Sequence, residues 1–558
     1  MLSLFQSNFF QLLREQAGKQ GSKLVVACLA SGVLQGLAVF TVLQGLEQLS
    51  GEGILFHTFL AFLICLVGFY YLFRYITGEG ALIALQGVMQ WRMRVASKLR
   101  AVSLEKYEQF DLSRIQAALL DNREMVVEAA RMLAASVANS IMIVVAMVKM
   151  FSVSVSGAAG TILCMALGLL FFLRLGKSVN ALMWPAMRAD AKFSSTLRDL
   201  QEGLQQLKQH KPKTSDLFKK DIIAGVDAAC NARSATERRH ALGISFFAML
   251  NLLILGIILF LMPRFLDVSP DETAQLLVLC MFSLSPLMSI VAFVPLFAKV
   301  EMSLDELRQV EDLIDRSVEP CEEKGMNAQW QYDDPKVPTF ESLRMEGIHF
   351  AYKGENGGSS FAIAVDSFSL KRGELLFIKG GNGSGKSTFM KVLSGLYHPQ
   401  SGSAWLNDIP LADIDSESYR NLFTILPSEY HLFSRPLGLD VSRKKIEEML
   451  KTMRIDTKIR VQEDRTFSTL DLSAGQRKRV ALACALLEER EVYILDEVAA
   501  DFDPGFRKFY YEELLPGLTA KGATIVAISH DDRYFHIADR VLTMREGTML
   551  PENREAEA

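Results

Sequence analysis

Long apolar stretches fill the first half of the chain, whereas the second half contains only short ones. Six of the long stretches are nearly free of charge and long enough for a helix to cross a bilayer, which takes about 20 residues. They are residues 24–46, 54–76, 132–150, 153–175, 241–262 and 274–298. Buried helices of soluble proteins rarely stay uncharged for so long, so the pattern predicts a membrane domain with six spans.

The basic residues predict how these spans are oriented. Lysine and arginine are concentrated between spans two and three and between spans four and five, whereas the other three connections are short and poor in basic residues. The positive-inside rule therefore predicts that both termini and both long segments are cytoplasmic. Helical periodicity in the long segments predicts that the helices continue beyond the membrane. Residues 1–23 are amphipathic and predict a helix at the membrane surface.

The hydrophobic pattern of the second half is that of a soluble α/β domain. Residues 342–350 alternate between apolar and polar side chains, which predicts a strand of a second, antiparallel sheet. Short continuous apolar runs are typical of parallel strands that are covered on both faces. Such runs occupy residues 375–378, 492–495 and 523–528.

Length and composition agree with more than one domain. At 558 residues the chain is too long for one core, and 50% of its residues are hydrophobic. We predict a membrane domain at residues 1–310, a linker at 311–335 and a soluble domain at 336–558. The net charge of −4 argues against a nucleic-acid-binding surface, and we expect no nucleic-acid partner. The seven cysteines lack metal-ligand spacing, and we expect neither disulfides nor a cleaved signal peptide.

A glycine-rich turn lies between an apolar strand and the start of a helix, which is the setting of a phosphate-binding loop. Its backbone N–H groups and the helix dipole can hold phosphate oxygens, while Lys386 can reach the β- and γ-phosphates and Ser387 can ligate Mg²⁺. A chance glycine-rich turn is the alternative interpretation. We predict that ATP and Mg²⁺ bind at Gly380, Gly381, Asn382, Gly383, Ser384, Gly385, Lys386, Ser387 and Thr388.

Two carboxylates follow the apolar run at 492–495. A strand that ends in Asp496 and Glu497 would bring both to the phosphate edge of a parallel sheet. There Asp496 can hold Mg²⁺ through water, and Glu497 can orient or deprotonate the attacking water. The alternative is an acidic pair at the end of a surface strand. The phosphate loop upstream makes this alternative less favoured.

The segment Leu472, Ser473, Ala474, Gly475 and Gln476 resembles the L-S-G-G-Q signature of ATP-binding cassette proteins, with Ala474 at the third position. We call residues 472–476 the signature segment. The resemblance implies that this segment grips the γ-phosphate of an ATP molecule held by a second copy of the chain. It therefore implies a head-to-tail homodimer with two ATP molecules between the subunits.

Other residues are similar to further motifs of the same family. Tyr352 matches the aromatic residue that stacks on adenine in this family. Asp503 matches a residue of the loop that crosses the dimer interface, and His530 matches the switch histidine that contacts the γ-phosphate. Ser428 stands where the family usually has a glutamine that ligates Mg²⁺, and we predict it as the third metal ligand. Its side chain is shorter, so a bridging water or the neighbouring Glu429 are the alternatives for this contact. The family's S-A-L-D loop has become A-D-F-D, which removes a serine contact.

The combination of the segments 472–479 and 528–535 with Ser428 resembles the branch of cyclic-peptide exporters, which includes pyoverdine-type siderophore transporters of Gram-negative bacteria. The resemblance implies a six-span type IV exporter bundle in the bacterial inner membrane, surrounded by lipids, with its ATPase domain in the cytoplasm. Short helices near residues 110–119 and 213–218 would transmit motion between the domains.

The implied cargo is a cyclic or modified peptide or a siderophore precursor. A lipid or lipopeptide flippase, a multidrug exporter, and a membrane ATPase that signals or scaffolds without transport stay open as alternatives.

Overall fold

The computed structural model describes residues 7–48, 56–110, 115, 123–317, 339–353 and 359–550. The chain forms two compact units, one of residues 1–100 with 111–318 and one of residues 101–110 with 319–558. Most of the predicted linker lies outside the described residues, and the domain limits at 310 and 336 stay predictions.

The described residues up to 317 form helices and the short connections between them. In chain order the helices up to residue 315 are α1 (Asn8–Gln48), α2 (Phe56–Arg100), α3 (Leu104–Tyr107), α4 (Arg123–Val153), α5 (Val155–Glu202), α6 (Leu204–Gln209), α7 (Lys211–Asp216), α8 (Ile223–Gly256), α9 (Met262–Phe265) and α10 (Pro270–Asp315). Two π-helical turns, Leu217–Ile222 and Ile257–Leu261, connect α7 to α8 and α8 to α9.

Five helical segments among the described residues are long and apolar enough to cross a membrane. They are Gln20–Glu47, Phe56–Arg100, Glu124–Val153, Lys211–Phe265 and Pro270–Asp315. The remaining predicted span, 153–175, falls on α5, where Val155–Phe171 is a shorter apolar stretch. At a rise of 1.5 Å per residue, the 45 residues of α2 extend far beyond a hydrocarbon core of about 30 Å. The helices therefore continue past the membrane, as the periodicity predicts.

Helix α1 is kinked at Gly18, which has a left-handed φ of 41° that glycine adopts at little cost. The kink separates the amphipathic start of the helix from its apolar part, as expected for a surface helix that leads into a span. The backbone N–H groups of Asn8 and Phe9 both donate to the carboxylate of Glu301 on α10, at 2.7 and 3.2 Å. This carboxylate satisfies two of the donors that a helix start leaves open.

The described residues of the second unit form one sheet of ten strands. Its strands are β1 (Ser342–Lys353), β2 (Ser359–Lys371), β3 (Leu375–Lys379), β4 (Ser401–Leu406), β5 (Ile409–Pro410), β6 (Phe423–Leu426), β7 (Val492–Asp496), β8 (Thr524–Ile528), β9 (Arg540–Arg545) and β10 (Thr548–Leu550). The strand order is β5-β4-β1-β2-β10-β9-β3-β8-β7-β6.

The prediction of a separate antiparallel sheet is therefore wrong. In one half of the sheet each strand is antiparallel to its neighbours, in the order β5, β4, β1 and β2. In the other half the neighbouring strands are parallel, in the order β9, β3, β8, β7 and β6. One parallel pair, Thr548 of β10 with Ala364 of β2, joins the two halves into a single sheet. A junction of one residue pair leaves no trace in the hydrophobic pattern.

The continuous apolar runs are divided between two hydrophobic cores. Leu376 and Ile378 of β3 pack in one core, whereas Leu375 and Phe377 pack in the other. Because successive strand side chains point to opposite faces, the two cores lie on opposite faces of the sheet. The helices that cover them are α11 (Lys386–Leu393), α12 (Ser416–Arg420), α13 (Arg443–Thr452), α14 (Ala474–Leu487), α15 (Pro504–Phe509) and α16 (Leu515–Thr519).

Residues 101–110 belong to the second unit although they directly follow α2. Ala101 and Val102 are buried, and Leu104 of α3 packs against the core that contains Leu376 and Ile378. The sequence instead predicts that short helices near residues 110–119 and 213–218 transmit motion between the domains. Most of the first range lies outside the described residues, and the second coincides with α7 and the π-helical turn after it.

Candidate nucleotide site

The phosphate loop joins the end of β3 to the start of α11. Gly385 has φ 101°, and a Cβ atom there would press against Ile363 of β2, so the position requires glycine. The Lys386 side chain is 6% exposed, and its Nζ donates to the carbonyl oxygens of Gly380 and Gly381 at 2.9 Å each. The buried hydroxyl of Ser384 has no hydrogen-bond partner within the described chain. A buried ammonium and an unpaired hydroxyl in one loop fit a phosphate group.

Next to this loop is a pair of oxygen ligands suited to Mg²⁺. The Ser387 hydroxyl donates to Oδ2 of Asp496 at 2.8 Å, and Asp496 is 4% exposed at the end of β7. Burial raises the pKa of Asp496, and the neighbouring charge of Glu497 adds to the shift. No group of three or more His, Cys, Asp or Glu side chains in the described residues could hold a metal. The residues fit an ion that completes its coordination with water and phosphate, as Mg²⁺ does.

The third predicted metal ligand, Ser428, lies in the loop after β6. Leu426 pairs with Leu495 in parallel register, so this loop and the pair Asp496–Glu497 leave the sheet side by side. Ser428 is exposed, and its backbone carbonyl accepts a hydrogen bond from Lys478 at 2.8 Å. A metal contact of its side chain stays a prediction.

The structure brings Glu497 and His530 together. Nε2 of His530 lies 2.9 Å from Oε1 of Glu497, and both side chains are partly exposed. Glu497 has a left-handed φ of 49°, and its N–H donates to the carbonyl of Ile528 at 3.2 Å. Such strained non-glycine residues cluster at functional sites. The pair can orient a water molecule and accept its proton beside the phosphate loop.

Three aromatic rings form a cluster that contacts α11 at Thr388. Tyr352 is perpendicular to Phe350 and Tyr397, with ring centroids 5.2 and 5.9 Å apart, and its hydroxyl lies 3.3 Å from Oγ1 of Thr388. Burial and hydrogen bonds with Glu108 and Tyr352 raise the pKa of Tyr397, so its phenol stays protonated. The cluster of Phe350, Tyr352 and Tyr397 holds Tyr352 next to the phosphate loop, where an adenine ring could stack on it.

The signature segment forms the start of α14. Ser473 is the N-cap: its hydroxyl accepts from the N–H of Gln476 at 3.4 Å, while its own N–H donates to Oε1 of Gln476 at 3.1 Å. This capping box fixes the helix start. Leu472 is partly buried against the core that contains Leu375 and Phe377, whereas Ser473 and Ala474 are exposed. The segment therefore presents a helix N-terminus at the surface, where it can bind an anion.

Asp503, predicted at a subunit interface, is bonded within its own chain. Its Oδ1 accepts from the N–H of Phe506 and so caps α15, and its Oδ2 pairs with Arg479 of α14. Its role across an interface stays a prediction. The structure shows that Asp503 holds the loop 500–503 against the helix that carries the signature segment.

Arg507 is a residue of this site that the sequence does not reveal. Its Nη2 donates to the carbonyls of Ala500 and Phe502 at 3.0 and 3.1 Å, and its Nη1 lies 3.8 Å from Oδ2 of Asp531. Arg533 and Arg507 lower the pKa of Asp531, so this carboxylate stays charged next to His530. Arg507 thus connects the loop after Glu497 with the residue after His530.

We expect the replacement of Arg507 by Met to lower kcat for ATP hydrolysis by about 10–100-fold, because small misplacements of catalytic groups have effects of this size. Two carbonyls would lose their donor, so the free energy of unfolding should fall by about 1–3 kcal/mol. Phosphate-release kinetics and thermal unfolding measure both effects. Lys508→Met is the matched control, because Lys508 is exposed and, among the described residues, forms an ion pair with Glu512, four residues further on. Equal activity of both variants would contradict the positioning role.

Comparisons with known proteins agree with this geometry. A family model described as ABC transporter matches residues 364–500. The chain is similar to the ATP-binding protein SyrD of Pseudomonas syringae pv. syringae, with 35% identity over 302 residues that cover 53% of each chain. It is also 30% identical over 218 residues to the energy-coupling factor transporter ATP-binding protein EcfA1 of Mycoplasma mobile, covering 37% of this chain and 78% of EcfA1.

A further relative is the subtilin transport ATP-binding protein SpaT of Bacillus subtilis. It is 29% identical over 234 residues, which cover 39% of this chain and 37% of SpaT. The chain spans about half the length of SyrD and a smaller share of SpaT.

Proposed function

Because this chain belongs to the ATP-binding cassette transporter family, we propose that it is an ATP-driven exporter that works as a homodimer. The observation that carries the proposal is the arrangement at the carboxyl ends of β3 and β7. There the phosphate loop, the pair Ser387–Asp496 and the pair Glu497–His530 lie on neighbouring elements. The apolar helices of the first unit support a location in a membrane, which we propose to be the bacterial inner membrane with the ATPase domain in the cytoplasm.

We assign the steps of hydrolysis to residues of this site. The phosphate loop binds the triphosphate, with Lys386 at the β- and γ-phosphates and Tyr352 against the adenine. Ser387 and Asp496 would hold Mg²⁺, which offsets the charge of the phosphates. Glu497 takes a proton from the attacking water, and His530 contacts the γ-phosphate.

The second subunit completes each site in this proposal. The exposed N-terminus of α14 is the surface that would reach the γ-phosphate of the partner's ATP, and the loop at Asp503 would cross the interface beside it. Closure of the two ATPase domains on ATP would then reopen the membrane domain outward. ATP can drive this change only through its higher affinity for the closed state.

We propose a peptide cargo, either a cyclic or modified peptide or a siderophore precursor. The name of SpaT gives subtilin as the transported substance, which supports this class of cargo. Uptake into inverted membrane vesicles tests the proposal with a labelled cyclic peptide, a hydroxamate siderophore and a fluorescent phospholipid. ATP-dependent accumulation of the peptide or siderophore in wild-type vesicles, absent with Glu497→Gln, is the expected result.

Other outcomes of this assay would replace the proposal. Movement of the phospholipid alone would indicate a flippase, and uptake of unrelated amphipathic drugs would indicate a multidrug exporter. ATP hydrolysis without any transport would favour a membrane ATPase that signals or scaffolds.

The segment 101–110 is our candidate for the coupling of hydrolysis to transport. Glu108 accepts a hydrogen bond from Lys391 of α11 at 2.8 Å and another from the hydroxyl of Tyr397 in the aromatic cluster. The carboxylate thus contacts both the helix that begins at the phosphate loop and the rings beside Tyr352. Since the segment directly continues α2, a change at the nucleotide can reach that helix through the chain.

We expect the replacement of Glu108 by Gln to abolish the stimulation of ATPase activity by cargo, with basal hydrolysis kept within about twofold. The pair with Lys391 is partly exposed, so its loss should change the free energy of unfolding by about 1 kcal/mol at most. ATPase rates in nanodiscs with and without the transported compound measure the effect. Glu105→Gln, three residues earlier in α3, is the control. Full stimulation in Glu108→Gln would remove this segment from the coupling path.

A further inference from the structure

Lys478 is a lysine in the interior of the ATPase domain. It lies on α14, two residues after the signature segment, and it is 2% exposed. Lysine is almost never buried to this extent without a partner, because an unpaired ammonium is very costly inside a protein. Burial lowers the pKa of Lys478, and the carboxylates of Asp501, Asp496 and Glu497 oppose this shift.

The partners of the ammonium group all lie in the loop after β6. Nζ of Lys478 donates to the carbonyl of Ser428 at 2.8 Å and lies 3.4 Å from the carbonyl of Pro427. The same atom is 5.0 Å from the centre of the Tyr430 ring, within the range of a cation–π interaction. A single side chain therefore contacts three of the four residues of the loop 427–430.

This contact connects two parts of the nucleotide site that are otherwise far apart in the chain. The loop 427–430 leaves the sheet next to Asp496 and Glu497, because β6 and β7 pair in parallel. Lys478 itself belongs to the helix whose exposed N-terminus carries Ser473 and Gly475. The carboxylates of Asp501, Asp496 and Glu497 add a favourable electrostatic interaction with the ammonium.

We propose that Lys478 is a positioning residue that ties the loop 427–430 to α14 beside the catalytic carboxylates. A movement of the loop at one ATP is then passed to the signature segment, which serves the other ATP of the dimer. The kinetic part of this proposal rests on the proposed ATPase function, whereas the tether itself does not.

Lys478→Met tests the tether, because methionine fills a similar volume without a donor. Replacement of a buried charge by an apolar residue of similar size is often neutral or stabilising, so the variant should stay folded. We expect hydrogen exchange at the amides of residues 428–430 to become about tenfold faster in the full-length protein, as local opening becomes easier. Lys478→Gln keeps one donor and should give an intermediate rate.

The kinetic expectation is a fall of about tenfold in kcat for ATP, with KM changed by less than about threefold, because only the alignment of the site is altered. Lys444→Met, which removes an exposed lysine of α13, is the matched control and should change neither quantity. Unchanged exchange at 428–430 in Lys478→Met would overturn the proposal, even with lower activity. If exchange becomes faster but the wild-type protein does not hydrolyse ATP, the tether is supported and the proposed function is rejected.

Discussion

Replacement of Glu497 by Gln is expected to lower kcat for ATP hydrolysis by about 10²–10⁴-fold, the usual contribution of a general base. Glutamine has nearly the same shape, so the left-handed backbone at this position and the contact with His530 can persist. What is lost is the ability to take a proton from water. ATP should therefore still bind with an affinity close to that of the wild type, because Lys386 and the phosphate loop are unchanged.

Phosphate release and the binding of a fluorescent ATP analogue measure the two halves of this expectation separately. Glu463→Gln is the control, since Glu463 is an exposed carboxylate away from the sheet end. With hydrolysis blocked, ATP should also stay bound between closed ATPase domains, which retention of the labelled analogue after gel filtration would show. Turnover at the wild-type rate would show that another group activates the water.

The sequence was sufficient to predict the parts of the site that depend on local structure. A strand, a tight turn and a helix in succession are the setting of a phosphate-binding loop, so Lys386 and Ser387 could be predicted from their spacing. The pairing of Ser387 with Asp496 follows because parallel strands carry their carboxyl ends to the same edge of the sheet. Glu497 and His530 come together for the same reason, since β7 and β8 are neighbours.

Features that depend on tertiary contacts were not predicted. Helix α3 has four residues, too few to show periodicity, and only its packing assigns it to the ATPase unit. Lys478 stands between Arg477 and Arg479, and three basic residues in a row look like a solvated surface. A helix turns by about 100° per residue, however, so three residues in a row cannot all point in the same direction. Its spacing of four and seven residues from Leu482 and Ala485, both buried, was the signal that could have identified it.

A substitution at the exposed start of α14 is also expected to lower ATP hydrolysis strongly. In Gly475→Ala, the added Cβ would lie less than 3.0 Å from the carbonyl oxygen of Asp501, which no relaxed structure permits. The loop 500–503 would have to move, and with it the positions set by Asp503 and Arg507. We expect hydrolysis to fall by about 10²-fold, because a shift of about 1 Å has this effect on an aligned site. Gly517→Ala, in α16, is the matched control: its added Cβ would meet nothing within 4 Å, so activity should stay intact.

Mixed dimers show whether this segment serves the partner's ATP. Consider one subunit with Gly475→Ala and the other with Lys386→Met, co-expressed with different tags and purified through both. If each pocket combines the phosphate loop of one subunit with the signature segment of the other, the mixed dimer contains one intact pocket and one with both defects. Activity should then appear that neither homodimer shows. If the two elements acted within one chain, every pocket would carry a defect, and the mixed dimer would be as inactive as its parents.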